Sequence, residues 1–204
     1  MGPLRDDSPL LVAHRSLLVR RAGRGDAHAY EVADHQGTRL GLVHRVDTER
    51  RSSPLRKVTN FLSWTSSLPS VRLDVTDLRG TALFSVEFSA EDARFTATVR
   101  DGAGNDIGLV TKAKGVRKIH FDLNASSCTL GTVEAEGWSG WHFGVHLAGA
   151  QIGRISQLGG RRFLGITATS DDYGLELDRS LDEPLRTLVV ACAVGMDVSV
   201  SQDA

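Results

Sequence analysis

No apolar run in this chain is long enough to cross a bilayer unaided. The longest, LVVACAVGM from Leu188 to Met196, would rise about 14 Å as a helix, roughly half of a hydrocarbon core. Lengthening it brings in Glu183 and Arg186 on one side and Asp197 on the other. Cysteine is scarce as well. Cys128 and Cys192 stand far apart in apolar contexts, which argues against a disulfide scaffold or a thiolate metal site and predicts two buried thiols, compatible with a reducing compartment. Charge of one sign is also missing: 24 Lys and Arg against 25 Asp and Glu leave a formal net charge of -1, so no global field favours nucleic acid and no nucleic-acid partner is expected. The opening MGPLRDDSPLLVAH lacks an apolar core followed by a small-residue cleavage site, and Met1-Gly2 lacks the serine or threonine of a myristoylation signal. Catalytic signatures are missing too. There is no HExxH or GxSxG, and nothing beside Cys128 identifies a base, so the chain is not expected to be an enzyme.

What is present is β signal. With 204 residues, 41% of them hydrophobic, the chain can bury one sizeable core; residues 1–9 read as a flexible N-terminus and 10–204 as a single domain. LLVAHRSLLVR could open the fold as a strand, and AYEVADHQGTRLGLVHRV reads as a hairpin around DHQG. A phrase then recurs: GTRLGLV from Gly37, GTALFSV from Gly80, GNDIGLV from Gly104 and GAQIGRI from Gly149. Each glycine is followed three residues later by Leu or Ile and six residues later by Val or Ile. Gly41, Gly108 and Gly153 recur at the fifth place of three copies. The first glycine suits a turn with positive φ, and the second lets a strand bend or approach another backbone closely. The unequal spacing marks a degenerate hairpin repeat forming a curved sheet. Further strands are predicted at Cys128–Ala135 and Arg162–Thr169, and a long irregular connection at Glu49–Pro69 that Phe61 and Trp64 could pin to the body.

Near the C-terminus the period changes to that of a helix. Asp182 is a candidate N-cap, Glu183 and Pro184 suit the first turn, and Gly195 stands near the expected stop. Leu185, Leu188, Val189, Cys192 and Met196 form one apolar face, yet Val190, Ala191, Ala193 and Val194 make the opposite face apolar too. Such a helix requires burial on all sides, which a closed sheet supplies without exposed edges. Burying five large apolar side chains contributes roughly 8 to 15 kcal/mol before entropy.

The segment DDYGLELDRSLDEPLRTLVVACAVGMDV resembles the closing segment of the phospholipid scramblase family, through Asp171, Asp172, Tyr173, Gly174, Leu175, Leu177, Leu181, Asp182, the apolar helix and Asp197. YEVADHQGTRLG resembles that family's N-terminal pattern. The LURP-one-related proteins and, more remotely, the tubby C-terminal domain share the superfamily. The resemblance implies a mainly β fold, a tubby C-terminal-like closed antiparallel barrel of about twelve strands enclosing the hydrophobic C-terminal α-helix. The proline-rich arm and palmitoylated cysteine cluster of membrane-associated scramblases have no counterpart here. The Ala, Gly, Arg and Asp-rich composition looks bacterial.

Several clusters remain as candidate sites. Lys112, Lys114, Arg117 and Lys118 in TKAKGVRK could bind an anionic headgroup, or simply solvate a loop. Arg50, Arg51, Arg56 and Lys57 form a second basic run beside Trp64. Asp171, Asp172 and Glu176 lie where calcium binding is proposed for scramblases, but a strand over Tyr173–Leu177 would set Asp172 and Glu176 too far apart for a compact site; a solvated turn and helix cap is the plainer reading. His142 and His146 could share a face beside Trp138, Trp141 and Phe143, but no acid at zinc-ligand spacing accompanies them in sequence. The expectation is a noncatalytic, cytoplasmic lipid-associated or ligand-binding module, peripheral at the inner membrane surface. Its partner would be an anionic lipid; a protein-interaction barrel is the alternative, and scramblase activity a lesser one.

Overall fold

The computed structural model describes residues 14–22, 29–47, 71–91, 94–112, 118–137, 142–159, 162–163, 166–167 and 172–200. The 1–9 segment and the 49–69 connection lie outside them. The strands are β1 (Ser16–Arg21), β2 (Tyr30–Asp34), β3 (Arg39–Asp47), β4 (Val71–Asp77), β5 (Ala82–Glu91), β6 (Arg94–Asp101) and β7 (Asp106–Lys112). They continue as β8 (His120–Ala125), β9 (Cys128–Ala135), β10 (His142–Leu147), β11 (Ala150–Gln157), β12 (Arg162–Phe163), β13 (Ile166–Thr167) and β14 (Tyr173–Leu177), before the helix α1 (Leu185–Val200). Strands β1 to β11 and β14 close into one antiparallel barrel in the order β1-β14-β11-β10-β9-β8-β7-β6-β5-β4-β3-β2. Closure removes the sheet edges.

The recurring phrase builds the hairpins. Gly37, Gly80, Gly104 and Gly149 have φ of 81°, 83°, 89° and 80°, the left-handed region that costs glycine nothing. In every copy the pairing skips the Leu or Ile three residues later. Val32 pairs with Gly41 but Ala33 with Arg39, leaving Leu40 as a bulge; Leu83, Ile107 and Ile152 are skipped in the same way. The bulge turns each of these side chains towards the core, which Leu40, Leu83 and Ile107 pack against and Ile152 joins. The β8–β9 hairpin is a fifth copy. Leu130 is its bulge, Gly131 its second glycine, and Ser127, with φ of 65°, stands where the others have glycine. The second glycines serve close approach: a Cβ on Gly153 would lie 2.5 Å from the Glu176 carbonyl, and one on Gly108 would collide with that of Asn124.

Inside runs the helix. Leu188 to Val194 are all buried, so no face of α1 meets water over that stretch, and its side chains join the wall's Val43, Leu73, Val99, Phe121, Leu123, Phe143 and Ile155 in one core. Leu185 and Met196 are buried at either end. The carboxylate that caps the helix is Glu183, whose Oε2 accepts from Thr187 N at 3.2 Å; Asp182 contributes its backbone carbonyl to Arg186 N at 3.1 Å.

Three sequence expectations need correction. Gly195 does not stop the helix, which continues to Val200; it is glycine because the Phe88 ring lies against it. Arg162–Thr169 is not one strand: Phe163 pairs back with Ile166, making β12 and β13 a two-stranded reversal outside the barrel sheet. Cys128 is exposed, because it follows the left-handed pair Ser126 and Ser127 at a hairpin tip.

Candidate functional site

An up-and-down barrel has two unlike ends. At one, here the turn end, lie the tight connections β2–β3, β4–β5, β6–β7, β8–β9 and β10–β11, together with the start of α1. Three of these turns share one device, D-x-x-G-[T/N]. Asp34 Oδ1 accepts from Gln36 N and Thr38 N at 2.8 and 2.9 Å, Asp77 Oδ1 from Arg79 N and Thr81 N at 2.8 and 2.7 Å, and Asp101 Oδ1 from Ala103 N and Asn105 N at 2.9 and 2.8 Å. Donors directed at the ionised oxygen favour the charged form. Burial works to raise the Asp34 pKa, but the Thr38 and Gln36 amides, with His35 and His14 nearby, hold it below the ordinary value. Asp77 is lowered chiefly by the Thr81 amide, and Asp101 chiefly by the Asn105 side-chain amide. Asp106, Asp178, Asp182 and Glu183 add further acids at this end.

The opposite, loop end is where β1, β3, β5, β7, β9 and β11 finish and where α1 ends. Lys112 closes β7 and exposed Lys118 precedes β8. Lys114 and Arg117 lie outside the described residues, but the chain that carries them leaves and re-enters the barrel here. The same is true of the chain between Asp47 and Val71, which carries Arg50, Arg51, Arg56 and Lys57.

Sequence reasoning missed two further cations at this end. Directly paired residues point to the same face of a sheet. Lys112 pairs with the core residue Phe121, Arg45 with Leu73, and Arg21 with Tyr30, so all three occupy inward positions near the loop ends of their strands; β3 runs on past Arg45 to Asp47, which pairs with Val71. The only signal for them in sequence was that each ends an alternating strand, which becomes informative once the register is known. The helix, which carries no basic residue in its own last turn, also ends on this side of the barrel.

The acidic candidates are placed differently. Tyr173–Leu177 is a strand, and Asp171 lies outside the described residues. Asp172 is fully buried, accepting from Arg21 N at 3.2 Å with Arg20 Nε at 3.8 Å from its other oxygen, while its carbonyl accepts from Leu158 N at 2.9 Å. It fastens the start of β14 to the end of β1. Glu176 is exposed on the outer wall, paired across strands with Arg154 and Ser16. Among the described residues no group of three or more His, Cys, Asp or Glu converges on a point that could hold a metal ion.

On the outer wall His142 Nδ1 lies 3.0 Å from Ser156 Oγ. The acid missing from the sequence near His146 is supplied by a neighbouring strand: Glu134 lines the same surface groove as His146, with Thr129 and Thr132. Glu134 also meets His120 Nδ1 at 3.3 Å. Charged side chains on the outer wall meet partners there. Arg100 bonds Glu87 and Asp106 at 2.7 and 3.0 Å, which raises its pKa, and Arg154 bonds Glu136 at 2.9 Å. A barrel that spans a bilayer presents an apolar outer band instead.

Among the described residues, one small space lies inside the barrel's core. Between α1 and the wall, Phe88, Ala97, Val110, Phe121, Ala191, Cys192 and Gly195 line an apolar slot of about 10 Å³, no more than one water could fill. Burial pushes the Cys192 thiol up to about 12, so it is not a nucleophile at neutral pH.

No protein-family model matches the chain, and no curated protein matches it in sequence. Among solved structures, the X-ray structure of a protein from Arabidopsis thaliana is similar over 90% of each chain, with a TM-score of 0.50 and 12% identity. At that identity the likeness shows the fold alone.

Proposed function

We propose that this chain is a noncatalytic module of the scramblase and LURP-one-like kind that binds anionic, phosphate-bearing headgroups through the loop end of its barrel. One observation carries the reading: the connections that carry both basic runs of the sequence leave and re-enter the barrel at one end, where Arg21, Arg45 and Lys112 also stand near the ends of their strands. Each Lys or Arg held near an anionic surface contributes about 1 kcal/mol, so several together give salt-sensitive peripheral attachment. The narrow slot between α1 and the described wall supports headgroup contact over uptake of an acyl chain there. The compensated outer wall argues for contact at an end of the barrel and against a scramblase path through a membrane.

Flotation with phosphatidylcholine vesicles, alone and with phosphatidylserine, tests this. Binding should require the anionic lipid, weaken with salt, and be lost when Lys112, Lys114 and Lys118 are all changed to Glu. Undiminished binding by that variant rejects the patch. Failure of the parent protein to float favours a barrel that recognises a protein partner. Scrambling needs its own dye-labelled lipid assay, because attachment does not show transbilayer movement.

A further inference from the structure

We propose that the open groove on the outer wall between β9 and β10 binds a cationic nitrogen group, a guanidinium or an ammonium, carried by a free small molecule or by an Arg or Lys side chain. The inference does not rest on the headgroup-binding reading above.

Three strands and one turn build the groove. Val133 and Val145 face the core, so their neighbours Thr132, Glu134, Gly144 and His146 face outward. Thr132 pairs directly with His146 and Glu134 with Gly144, which sets Glu134 and His146 diagonal to each other on that outer face. Gly144 leaves the place opposite Glu134 without a side chain, and the His146 ring occupies it: a Cβ on Gly144 would lie 2.6 Å from His146 Nε2. Glu134 is held from its other side. Its Oε1 accepts from Thr132 Oγ1 at 3.1 Å and lies 3.3 Å from His120 Nδ1, while His120 Nε2 lies 3.0 Å from Asp122 Oδ1. The β10–β11 turn forms the rim, where Ala148 adopts a left-handed φ of 51°.

Thr129, Leu130, Thr132, Glu134, His146 and Ala148, with two glycines, line about 510 Å³, within the range of about 300–1,000 Å³ that small-ligand sites occupy. Their polar groups are unevenly used. Among the described residues no hydrogen bond or ion pair reaches Glu134 Oε2 or the His146 ring, and no Lys or Arg lines the groove. What remains free is a carboxylate oxygen, an imidazole that in its neutral form accepts through one nitrogen, and the lone pairs of threonine hydroxyls. This is a set of acceptors around one negative charge, with the Asp122 carboxylate behind His120, and it complements a cation rich in N–H donors. An anion would meet the charge of Glu134, and an apolar ligand would desolvate that carboxylate without replacing its hydrogen bonds. The groove also suits a long stem. Alternate residues on a strand are about 7 Å apart, so an aliphatic chain lying past Thr132 and half-buried Leu130 brings its charged head to Glu134.

The test is an amide NMR titration of the full chain with N-acetylarginine amide, using N-acetylcitrulline amide as the uncharged counterpart of nearly the same shape. At millimolar concentration the arginine compound should shift the amides of Thr132, Glu134 and His146, and the citrulline compound should not. Glu134→Gln keeps the size of the side chain and an acceptor for Thr132, and should weaken binding about tenfold or more; His146→Ala should weaken it by a smaller factor. A melting curve for each variant confirms that it is folded. A Gly-Arg-Gly peptide separates the two sources of the cation: several-fold tighter binding than the amide assigns it to a protein chain, and equal binding to a free small molecule. Equal shifts with arginine and citrulline, shifts that survive Glu134→Gln, or no shifts in the parent protein overturn the proposal.

Discussion

Gly195 in the helix and Phe88 in β5 claim the same space: a Cβ on Gly195 would lie 2.5 Å from Cζ of the Phe88 ring. A glycine this deep in a helix costs about 1 kcal/mol relative to alanine, so its presence indicates that the wall approaches too closely for a side chain.

Gly195→Ala should therefore destabilise the protein despite improving helix propensity. Overpacking costs about 1–3 kcal/mol, and the slot of about 10 Å³ beside Phe88 is too small to receive the displaced ring. The net loss should be about 1 kcal/mol by urea unfolding. In a Phe88→Leu background the same change should become neutral or stabilising, and this reversal in a double-mutant cycle is the decisive measurement.

The aspartate turns predict an acid limb of stability. Asp34, Asp77 and Asp101 have folded-state pKa values lowered from 3.8, so their contribution is present above that value and is lost as pH falls through the folded values. Asp77→Asn keeps an acceptor for the turn but cannot titrate. Its Tm should lie below the parent's at neutral pH and fall less steeply on acidification below about pH 4. Superimposable acid limbs would show that Asp77 is not coupled to folding.

Much of the fold was legible because its signals are local. The glycine phrase marked four of the turns, and CTLGTVEA matched β9 at both ends, because alternation and turn chemistry lie in adjacent residues. What escaped depended on partners distant in sequence. The fifth phrase was hidden by Ser127 in the left-handed place. Gly195 looked like a helix stop because Phe88 stands far away in the chain. Arg21 and Arg45 became site residues only through the register, and Asp172 looked like a surface acid until β1 was seen to enclose it.

The two thiols should behave as opposites. Cys128 is exposed, whereas burial holds the Cys192 thiol at about 12. In native protein at pH 8 a thiol-specific chromogenic reagent should titrate one cysteine promptly, and the second only after denaturant is added. Loss of the prompt phase in Cys128→Ser assigns it; prompt reaction of both thiols would mean that α1 leaves the barrel readily.

The enclosed helix makes the final prediction. Val190 points away from the Leu188 and Cys192 stripe, so a helix merely resting on the sheet would expose it, yet it is 1% exposed. Val190→Asp would bury a carboxylate with no partner, at a cost of several kcal/mol, a large fraction of the roughly 5–15 kcal/mol that holds a domain folded. The variant should show no cooperative melt and a reduced β signal in far-UV circular dichroism. In the parent protein, amides from Leu188 to Val194 should exchange as slowly as those of β5 to β9, through global unfolding alone. Should they exchange freely while the strands stay protected, the wall is stable without its helix, and the interior that the slot leaves nearly solid could open to a ligand.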